Sequence, residues 1–222
     1  SIAVGQRPVN RTLEWGHGIF SSREEATWSD RGPTRANERG WVLWSAEWRG
    51  FDRHSFPMLA RQLMHDGGEG IIDVYNNLLQ GFVAKIALGS YALPKILVND
   101  YSELLIPASE SANLGNLPTS FIGCSMGGIL GPGYMFSAKI KRGALYTAGA
   151  PFTYVIGTSS LFASFYLFLD LQFRSRVDAR IAMTLWQIPF DEIESPLLAT
   201  NNTFSEILLL SARGDSVVTE TS

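Results

Sequence analysis

The sequence predicts an α/β protein in which a mainly parallel central sheet carries helices on both faces. Short continuous apolar runs, typical of strands buried on both faces of a parallel sheet, alternate along the chain with longer segments of helical spacing. One of these runs leads into a glycine-serine-glycine turn and then a helix start. Strands that alternate with helices need crossover connections, and crossovers place the helices against the sheet.

Five short segments are the strand candidates. They are residues 12–15, 41–46, 120–124, 144–148 and 207–211, and the last of them is predicted to be buried. Between the first two segments, Ser22 and Glu25 have the spacing of a capping box, which predicts a helix start. Residues 30–37 contain glycine and proline and are predicted to form a loop.

Helices are predicted on either side of the central strand candidate. One begins near Ser55 and ends at Gly67, and another covers residues 71–93 and ends at Pro94. Pro132 lies within the helical pattern that follows the serine turn, where a proline is expected to kink or end the helix.

Length and composition are those of a single globular domain over residues 1–222, with 45% hydrophobic and 18% charged residues. A net charge of −3 gives no electrostatic case for nucleic acid or an anionic membrane surface. The single cysteine, Cys124, excludes an intrachain disulfide framework. His17, His54 and His65 lack ligand spacing, so we predict no metal site, and we predict no cofactor.

Residues 154–169 form an uncharged stretch that is shorter than the roughly 20 residues of a membrane span, so a buried helix, or one packed over a cleft, is predicted instead. No signal peptide is visible in the sequence, which begins with Ser1. We expect a soluble protein, and the sequence leaves its compartment (cytoplasmic or secreted) and its oligomeric state open.

The motif Gly123-Cys124-Ser125-Met126-Gly127 follows the third strand candidate. A serine in a sharp turn between strand and helix is held in a strained backbone region that pushes its hydroxyl into a cleft. Glycines are needed there because a Cβ would collide with the neighbouring strand and helix. The helix N-terminus places unpaired N–H groups where an oxyanion would form. An ordinary glycine-rich turn gives the same pattern, so the motif alone leaves both interpretations open.

Several runs together carry a resemblance to a known family. They are Gly16-His17-Gly18-Ile19-Phe20, Trp48-Arg49-Gly50, Gln80-Gly81-Phe82, Ser125-Met126-Gly127-Gly128-Ile129-Leu130-Gly131 and Gly214-Asp215. With them, residues 12–219 resemble the α/β-hydrolase fold superfamily, and within it uncharacterised bacterial serine hydrolase-like (esterase- or lipase-like) proteins. The resemblance implies that Ser125 is the nucleophile, that the N–H groups of Ile19 and Met126 form the oxyanion hole, and that Asp215 orients a catalytic histidine. It also implies a helical cap inserted at residues 151–200.

The chain departs from the resemblance at the histidine, because none follows Asp215. His17 belongs to the loop that would form the oxyanion hole, where its ring is expected to brace the turn. His54 and His65 flank a predicted surface helix and are expected to be non-catalytic. Relative to the family, the sheet is also expected to lack its first strands and its last strand, so we expect a fragment truncated at both ends.

These features lead to a first hypothesis, a serine hydrolase that cleaves small-molecule carboxylic esters through an acyl-enzyme. Phe20, Phe162 and Phe165 are candidates for the wall of an apolar acyl pocket, although their spacing is also typical of core packing. The missing histidine motivates the alternative of a non-catalytic α/β-hydrolase-fold binding protein or an inactive fragment. Acyl transfer and peptide cleavage use the same serine chemistry and stay open.

Overall fold

A five-stranded parallel sheet forms the centre of the chain in a computed structural model, which describes residues 9–65, 67–100, 115–173, 175–194 and 206–218. The strands are β1 (Arg11–Gly16), β2 (Trp41–Ser45), β3 (Thr119–Cys124), β4 (Arg142–Tyr146) and β5 (Glu206–Leu210). Their order is β2-β1-β3-β4-β5, and all four pairings are parallel. The five predicted strands and their parallel arrangement are confirmed.

Helices make the crossovers. They are α1 (Arg31–Arg39), α2 (Phe56–His65), α3 (Gly67–Ala87), α4 (Leu93–Asp100), α5 (Met126–Ser137), α6 (Phe152–Thr158), α7 (Ala163–Gln172) and α8 (Arg176–Phe190). Helices α6 to α8 lie between β4 and β5, within the region predicted to be a cap. That they cover a site stays a prediction.

The direction of the strand order reverses between β1 and β3. The chain passes from β1 to β2 on one side and then to β3 on the other side of β1. At such a reversal the loops leave the carboxyl edge in opposite directions, and the gap between them is a common ligand site. The register sets Gly16 at the end of β1 beside Gly123 near the end of β3. The loop after β1 and the turn after β3 therefore start at the same level.

The larger core lies on the face of the sheet that α3 and α5 cover. Phe121 of β3, Leu145 of β4 and Leu78 of α3 are fully buried there. Every residue from 126 to 135 of α5 is also buried, which sets this helix in the middle of the core. Successive strand residues point to opposite faces, and on the other face Leu13 and Leu43 pack against residues near and within α1 in a smaller cluster.

Two predictions for the segment between β1 and β2 are wrong. Residues 31–39 form α1 rather than a loop, because Pro33 lies in the first turn, where a missing N–H costs nothing. Gly40, with φ of 68°, ends this helix in the left-handed conformation. The capping box of Ser22 and Glu25 does not form: residues 23–27 make a 3₁₀ turn, and the Ser22 hydroxyl donates to Glu24.

The helix predicted from near Ser55 to Gly67 is confirmed as α2, which ends at His65, but the helix end predicted at Pro94 is wrong. A helix, α3, begins at Gly67 and runs to Ala87. A π-helical turn at Leu88–Ala92 follows, and α4 then starts at Leu93. Pro94 therefore occupies the first turn of a new helical segment, where it is tolerated. Pro132 likewise does not end α5, which continues to Ser137 inside its buried surroundings.

The last strand is exposed rather than buried. Leu208 and Leu209 of β5 are 54% and 65% exposed. The strand lies at the edge of the sheet, where β4 is its only partner among the described residues. Its apolar sequence was compatible with a fully buried strand, and the sequence pattern does not report position within a sheet.

The predicted helix over residues 154–169 is divided between α6, a 3₁₀ turn and α7, with a bend of 74°. Elsewhere in the described residues, the run Glu69–Asn99 is long and apolar enough to cross a membrane by length and composition. This run carries Ile71, Val74 and Leu78 into the core of the sheet.

Candidate active site

Ser125 lies in the turn between β3 and α5, at the carboxyl edge of the sheet. Its φ and ψ are 52° and −111°, a backbone conformation that residues other than glycine rarely adopt. Such a residue costs roughly 1–3 kcal/mol and persists only where its surroundings fix it. The residue is half-buried, and α5 starts at the next position.

Glycines on both sides make this turn possible. A Cβ added to Gly123 would lie 2.0 Å from the carbonyl oxygen of Gly127. A Cβ added to Gly127 would lie 2.1 Å from the carbonyl oxygen of Gly16, at the end of β1. Real Cβ atoms do not approach backbone this closely, so the glycines let β1, β3 and α5 meet around Ser125.

Backbone hydrogen bonds fix the turn against the next two strands. The Ser125 N–H is shared between the carbonyl oxygen of Tyr146, at 3.0 Å, and the hydroxyl of Thr147, at 3.1 Å. The N–H of Thr147 donates to the carbonyl oxygen of Leu210, at the end of β5. The serine turn is thus connected through β4 to the end of the strand that precedes Asp215.

The loop after β1, residues 17–20, lies directly against the serine turn and is named the oxyanion loop for the role predicted for it from the sequence. The N–H of Gly127 donates to the carbonyl oxygen of His17 at 3.1 Å. The indole N–H of Trp48 donates to the same oxygen, also at 3.1 Å. A Cβ built on Gly18 would lie 3.6 Å from the Cβ of Ser125, which shows how closely the loop approaches the serine.

The two predicted oxyanion donors have backbone N–H groups with no acceptor among the described residues. Met126 is the first residue of α5, so its N–H has no partner within the helix. Ile19 lies in the oxyanion loop between Gly18 and Phe20, and the Phe20 N–H is already used by the carbonyl oxygen of Phe51. The dipole of α5 adds partial positive charge at the Met126 end of this site.

His17 braces the oxyanion loop, as its position in the sequence suggests. Its ring is fully buried, with Nδ1 2.7 Å from the carbonyl oxygen of Gly18. The Nε2 atom accepts the N–H of Trp48 at 2.9 Å and lies 3.0 Å from a carboxylate oxygen of Glu47. Burial lowers the pKa of His17, which favours the neutral ring that these backbone contacts require.

His54, the other histidine whose side chain the structure describes, makes no contact with Ser125 among the described residues. His54 is exposed, and its Nε2 accepts from the Arg53 guanidinium at 3.1 Å. His65 ends α2, and its side chain lies outside the described residues. Within those residues, the Ser125 hydroxyl has no hydrogen-bond partner.

Asp215 follows β5 by a short loop and is partly exposed. One carboxylate oxygen, Oδ1, accepts the N–H groups of Val217 at 2.8 Å and Val218 at 3.1 Å. The adjacent Ser216 contacts Ser160 through both backbone and hydroxyl groups, which joins this loop to the segment between α6 and α7. The Asp215 side chain is therefore fixed at the same edge of the sheet as Ser125.

The aromatic residues proposed for an acyl pocket are partly buried. Phe20 and Phe162 have ring centroids 6.4 Å apart, so the oxyanion loop contacts the segment between α6 and α7. Phe165 packs against the main core from α7. Cys124 precedes the serine and is also partly buried, and burial raises the pKa of its thiol, which disfavours a second nucleophile.

Two features near the site were not predicted from the sequence. The carboxylate of Glu25, assigned by its spacing to a capping box, instead accepts the N–H of Gly18 at 3.0 Å. Beneath the oxyanion loop, Glu14 and Lys85 form a fully buried ion pair at 2.8 Å, and Tyr134 donates to Glu14 at 2.7 Å. Burial raises the pKa of Glu14, and the nearby Lys85 opposes that shift. For Glu14 and Lys85, the only signal in the sequence was a charged residue within a largely apolar segment.

Comparison with solved structures identifies the fold. The chain is similar to Pyrococcus horikoshii acylaminoacyl peptidase in an orthorhombic crystal form, with a TM-score of 0.51 and 12% identity over 98% of this chain and 30% of that chain. It is similar to an acylaminoacyl peptidase in complex with Z-Gly-Gly-Phe-chloromethyl ketone, with a TM-score of 0.50 and 14% identity over 98% and 29% of the two chains. The chain thus spans less than a third of these peptidases.

A cold-adapted esterase from an Arctic intertidal metagenomic library also matches, at a TM-score of 0.44 and 16% identity over 95% of this chain and 76% of that chain. No protein-family model matches the sequence, and no curated protein matches it. The parallel sheet, its helices and the peptidase structures together show that this chain has the α/β-hydrolase fold.

Proposed function

We propose that this protein is a serine hydrolase that cleaves carboxylic esters through an acyl-enzyme on Ser125. The observation that carries the proposal is the strained turn that holds this serine next to the Met126 N–H and against the loop that carries the Ile19 N–H, neither of which has an acceptor among the described residues. Strained backbone at a carboxyl-edge crevice is costly, and such strain clusters at active sites.

The reaction follows from the groups at this edge. The Ser125 oxygen attacks the ester carbonyl carbon, and its proton passes to a general base. The bond to the leaving oxygen breaks, the alcohol takes the proton, and the acyl group stays on Ser125. Water then attacks the same carbon, which releases the carboxylic acid and returns the proton to the serine.

The negative charge that develops on the carbonyl oxygen would be held by the N–H groups of Ile19 and Met126. Removal of one such donor costs on the order of 3 kcal/mol of transition-state stabilisation. These donors are effective because the loop and the turn are already held in place, by the Gly127–His17 hydrogen bond among others. Little reorganisation is then needed as the charge forms.

Asp215 would orient the imidazole of a general base, as its place after β5 suggests. Neither His17 nor His54 can be that base: both contact other groups, and neither contacts Ser125 in the described residues. A histidine base is therefore not among the residues whose side chains the structure describes. Phe20, Phe162 and Phe165 are proposed to contact the acyl group, consistent with the contact between the first two rings.

The test is covalent labelling of the natural full-length protein with a fluorophosphonate probe, which reacts with activated serines. Wild type is expected to be labelled and to hydrolyse a p-nitrophenyl ester, and Ser125→Ala is expected to lose both. Equal labelling of the two proteins would rule out Ser125 as the nucleophile.

A second candidate is a non-catalytic α/β-hydrolase-fold protein that binds a ligand in the same crevice. The engaged ring of His17 and the exposed position of His54 favour it, because neither histidine serves Ser125. This candidate predicts that full-length wild-type protein is not labelled and does not turn over esters, while apolar esters still bind and are protected from added esterase.

A further inference from the structure

We propose that Glu25 is a positioning residue for the oxyanion loop, an inference that rests on the proposed role of the Ile19 N–H. Glu25 lies in the 3₁₀ turn Arg23–Thr27, which follows that loop in the sequence. Its carboxylate holds the loop from the side opposite α5. It does not touch the reacting atoms, so it would act through the backbone of Gly18.

Both carboxylate oxygens of Glu25 accept a hydrogen bond. Oε2 accepts the N–H of Gly18 at 3.0 Å, and Oε1 accepts the indole N–H of Trp15 at 3.1 Å. Two donors from β1 and the loop after it fix the position of the carboxylate, and hydrogen bonds to a charged acceptor are stronger than neutral ones. The side chain is partly buried, which further restricts it.

Both peptide groups of Gly18 are hydrogen-bonded. Its N–H goes to Glu25, and its carbonyl oxygen accepts from the His17 ring at 2.7 Å and from the Ser21 N–H at 3.2 Å. The Gly18 N–H is therefore withdrawn from the crevice, and the next N–H along the chain, that of Ile19, remains without an acceptor among the described residues. Glu25 thereby selects which N–H the loop presents.

The charge of Glu25 is not what the reaction needs. A carboxylate near a developing oxyanion raises the energy of that oxyanion, so the benefit of Glu25 must come from placement of the loop. Gln at this position can still accept the Gly18 N–H through its amide oxygen, without the negative charge. Ala can accept nothing, which frees the Gly18 peptide.

The first measurement is the rate of fluorophosphonate labelling at Ser125 in the full-length protein. Glu25→Ala is expected to slow labelling by about 10-fold to 100-fold, the scale expected when a catalytic group is misplaced by about 1 Å. Glu25→Gln is expected to recover at least half of the wild-type rate. Glu24→Ala is the matched control, because Glu24 is exposed, lies in the same turn and contacts Ser22 and Arg53 instead of the loop.

The second measurement does not depend on activity. In ¹H–¹⁵N spectra, the Gly18 amide and the Trp15 indole N–H are expected to move upfield in Glu25→Ala, and the Gly18 amide is expected to exchange faster with solvent. Neither signal should move in Glu24→Ala. Thermal unfolding shows which variants are folded. If Glu25→Ala is unfolded, both measurements are made on Glu25→Gln instead. Its Trp15 indole signal must move, because the amide of Gln cannot accept hydrogen bonds from both donors as the carboxylate does.

Labelling of Glu25→Ala at the wild-type rate, or of folded Glu25→Gln as slowly as Glu25→Ala, would overturn the positioning role. If wild type is not labelled at all, the proposed function fails. The spectra then test only whether Glu25 holds Gly18 and Trp15. In that case, Gly18 and Trp15 signals that respond equally to changes at Glu24 and Glu25 would overturn the inference.

Discussion

The N–H of Gly127 donates a hydrogen bond of 3.1 Å to the carbonyl oxygen of His17, and this bond joins the serine turn to the loop after β1. It can form only because Gly127 has no side chain, since a Cβ there would lie 2.1 Å from the carbonyl oxygen of Gly16. The two elements of the proposed site, the nucleophile and the oxyanion loop, are therefore held by one backbone contact between strands that are adjacent in the sheet.

The strain at Ser125 predicts an unusual order of stability among variants. Ser125→Gly is expected to be more stable than Ser125→Ala by about 1 kcal/mol, because only glycine adopts a φ of 52° without a steric cost. Both variants lack the hydroxyl, so the comparison isolates the backbone. Urea unfolding of the two proteins measures the difference, and an alanine variant as stable as the glycine variant would show that the turn is relaxed.

The buried pair of Glu14 and Lys85 predicts a large loss on removal of one partner. Lys85→Met leaves the Glu14 carboxylate buried and is expected to lower the free energy of unfolding by about 3–5 kcal/mol. Glu14→Gln combined with Lys85→Met is expected to cost less, because no unpaired charge remains.

The exposed pair of Arg142 and Glu206, also at 2.8 Å, is the control. Arg142→Gln is expected to change the free energy of unfolding by at most about 1 kcal/mol, as is usual at a surface. Denaturant unfolding of the four proteins measures these values. A Lys85→Met variant that loses no more than Arg142→Gln would show that Glu14 is not confined to a dry core.

Glu194 predicts a pH dependence of stability. Burial raises the pKa of this carboxyl to about 7, and Asp191 adds to the shift, while the N–H of Phe152 and the Gln187 side chain oppose it. Because the pKa is higher in the folded state than the ordinary value of about 4.5, the contribution of Glu194 is present in full below that value. It is lost as the pH rises through about 7.

The measurement is urea unfolding of wild type and Glu194→Gln at about pH 5 and about pH 8. The wild-type free energy of unfolding is expected to fall by about 2–3 kcal/mol more than that of Glu194→Gln over this range. Parallel pH profiles for the two proteins would contradict a raised pKa at Glu194.

The sequence was sufficient to predict the strands and the serine turn, because both depend on local composition. Short strand-like segments located all five strands, and the glycines around Ser125 indicated a turn in which Cβ atoms cannot fit. Helix boundaries were less accessible. Pro33 and Pro94 look like helix ends, yet each lies in a first helical turn, and that depends on where the preceding residues begin the helix.

Contacts between distant parts of the chain could not be predicted. The spacing of Ser22 and Glu25 fits a capping box, but the Gly18 N–H and the Trp15 indole compete for the same carboxylate. Nothing local links Glu14 to Lys85, since the pair forms only when α3 packs on β1. The exposure of Leu208 likewise depends on β5 being the edge strand.

The most direct test of Ser125 as the nucleophile is to find which residue a fluorophosphonate modifies in the full-length protein. Proteolysis and mass spectrometry of the labelled protein would measure the mass of the peptide that contains Ser125. This peptide is expected to carry the phosphonyl group, with the modification assigned to Ser125 by fragmentation. Labelling of the protein with an unmodified Ser125 peptide would contradict it.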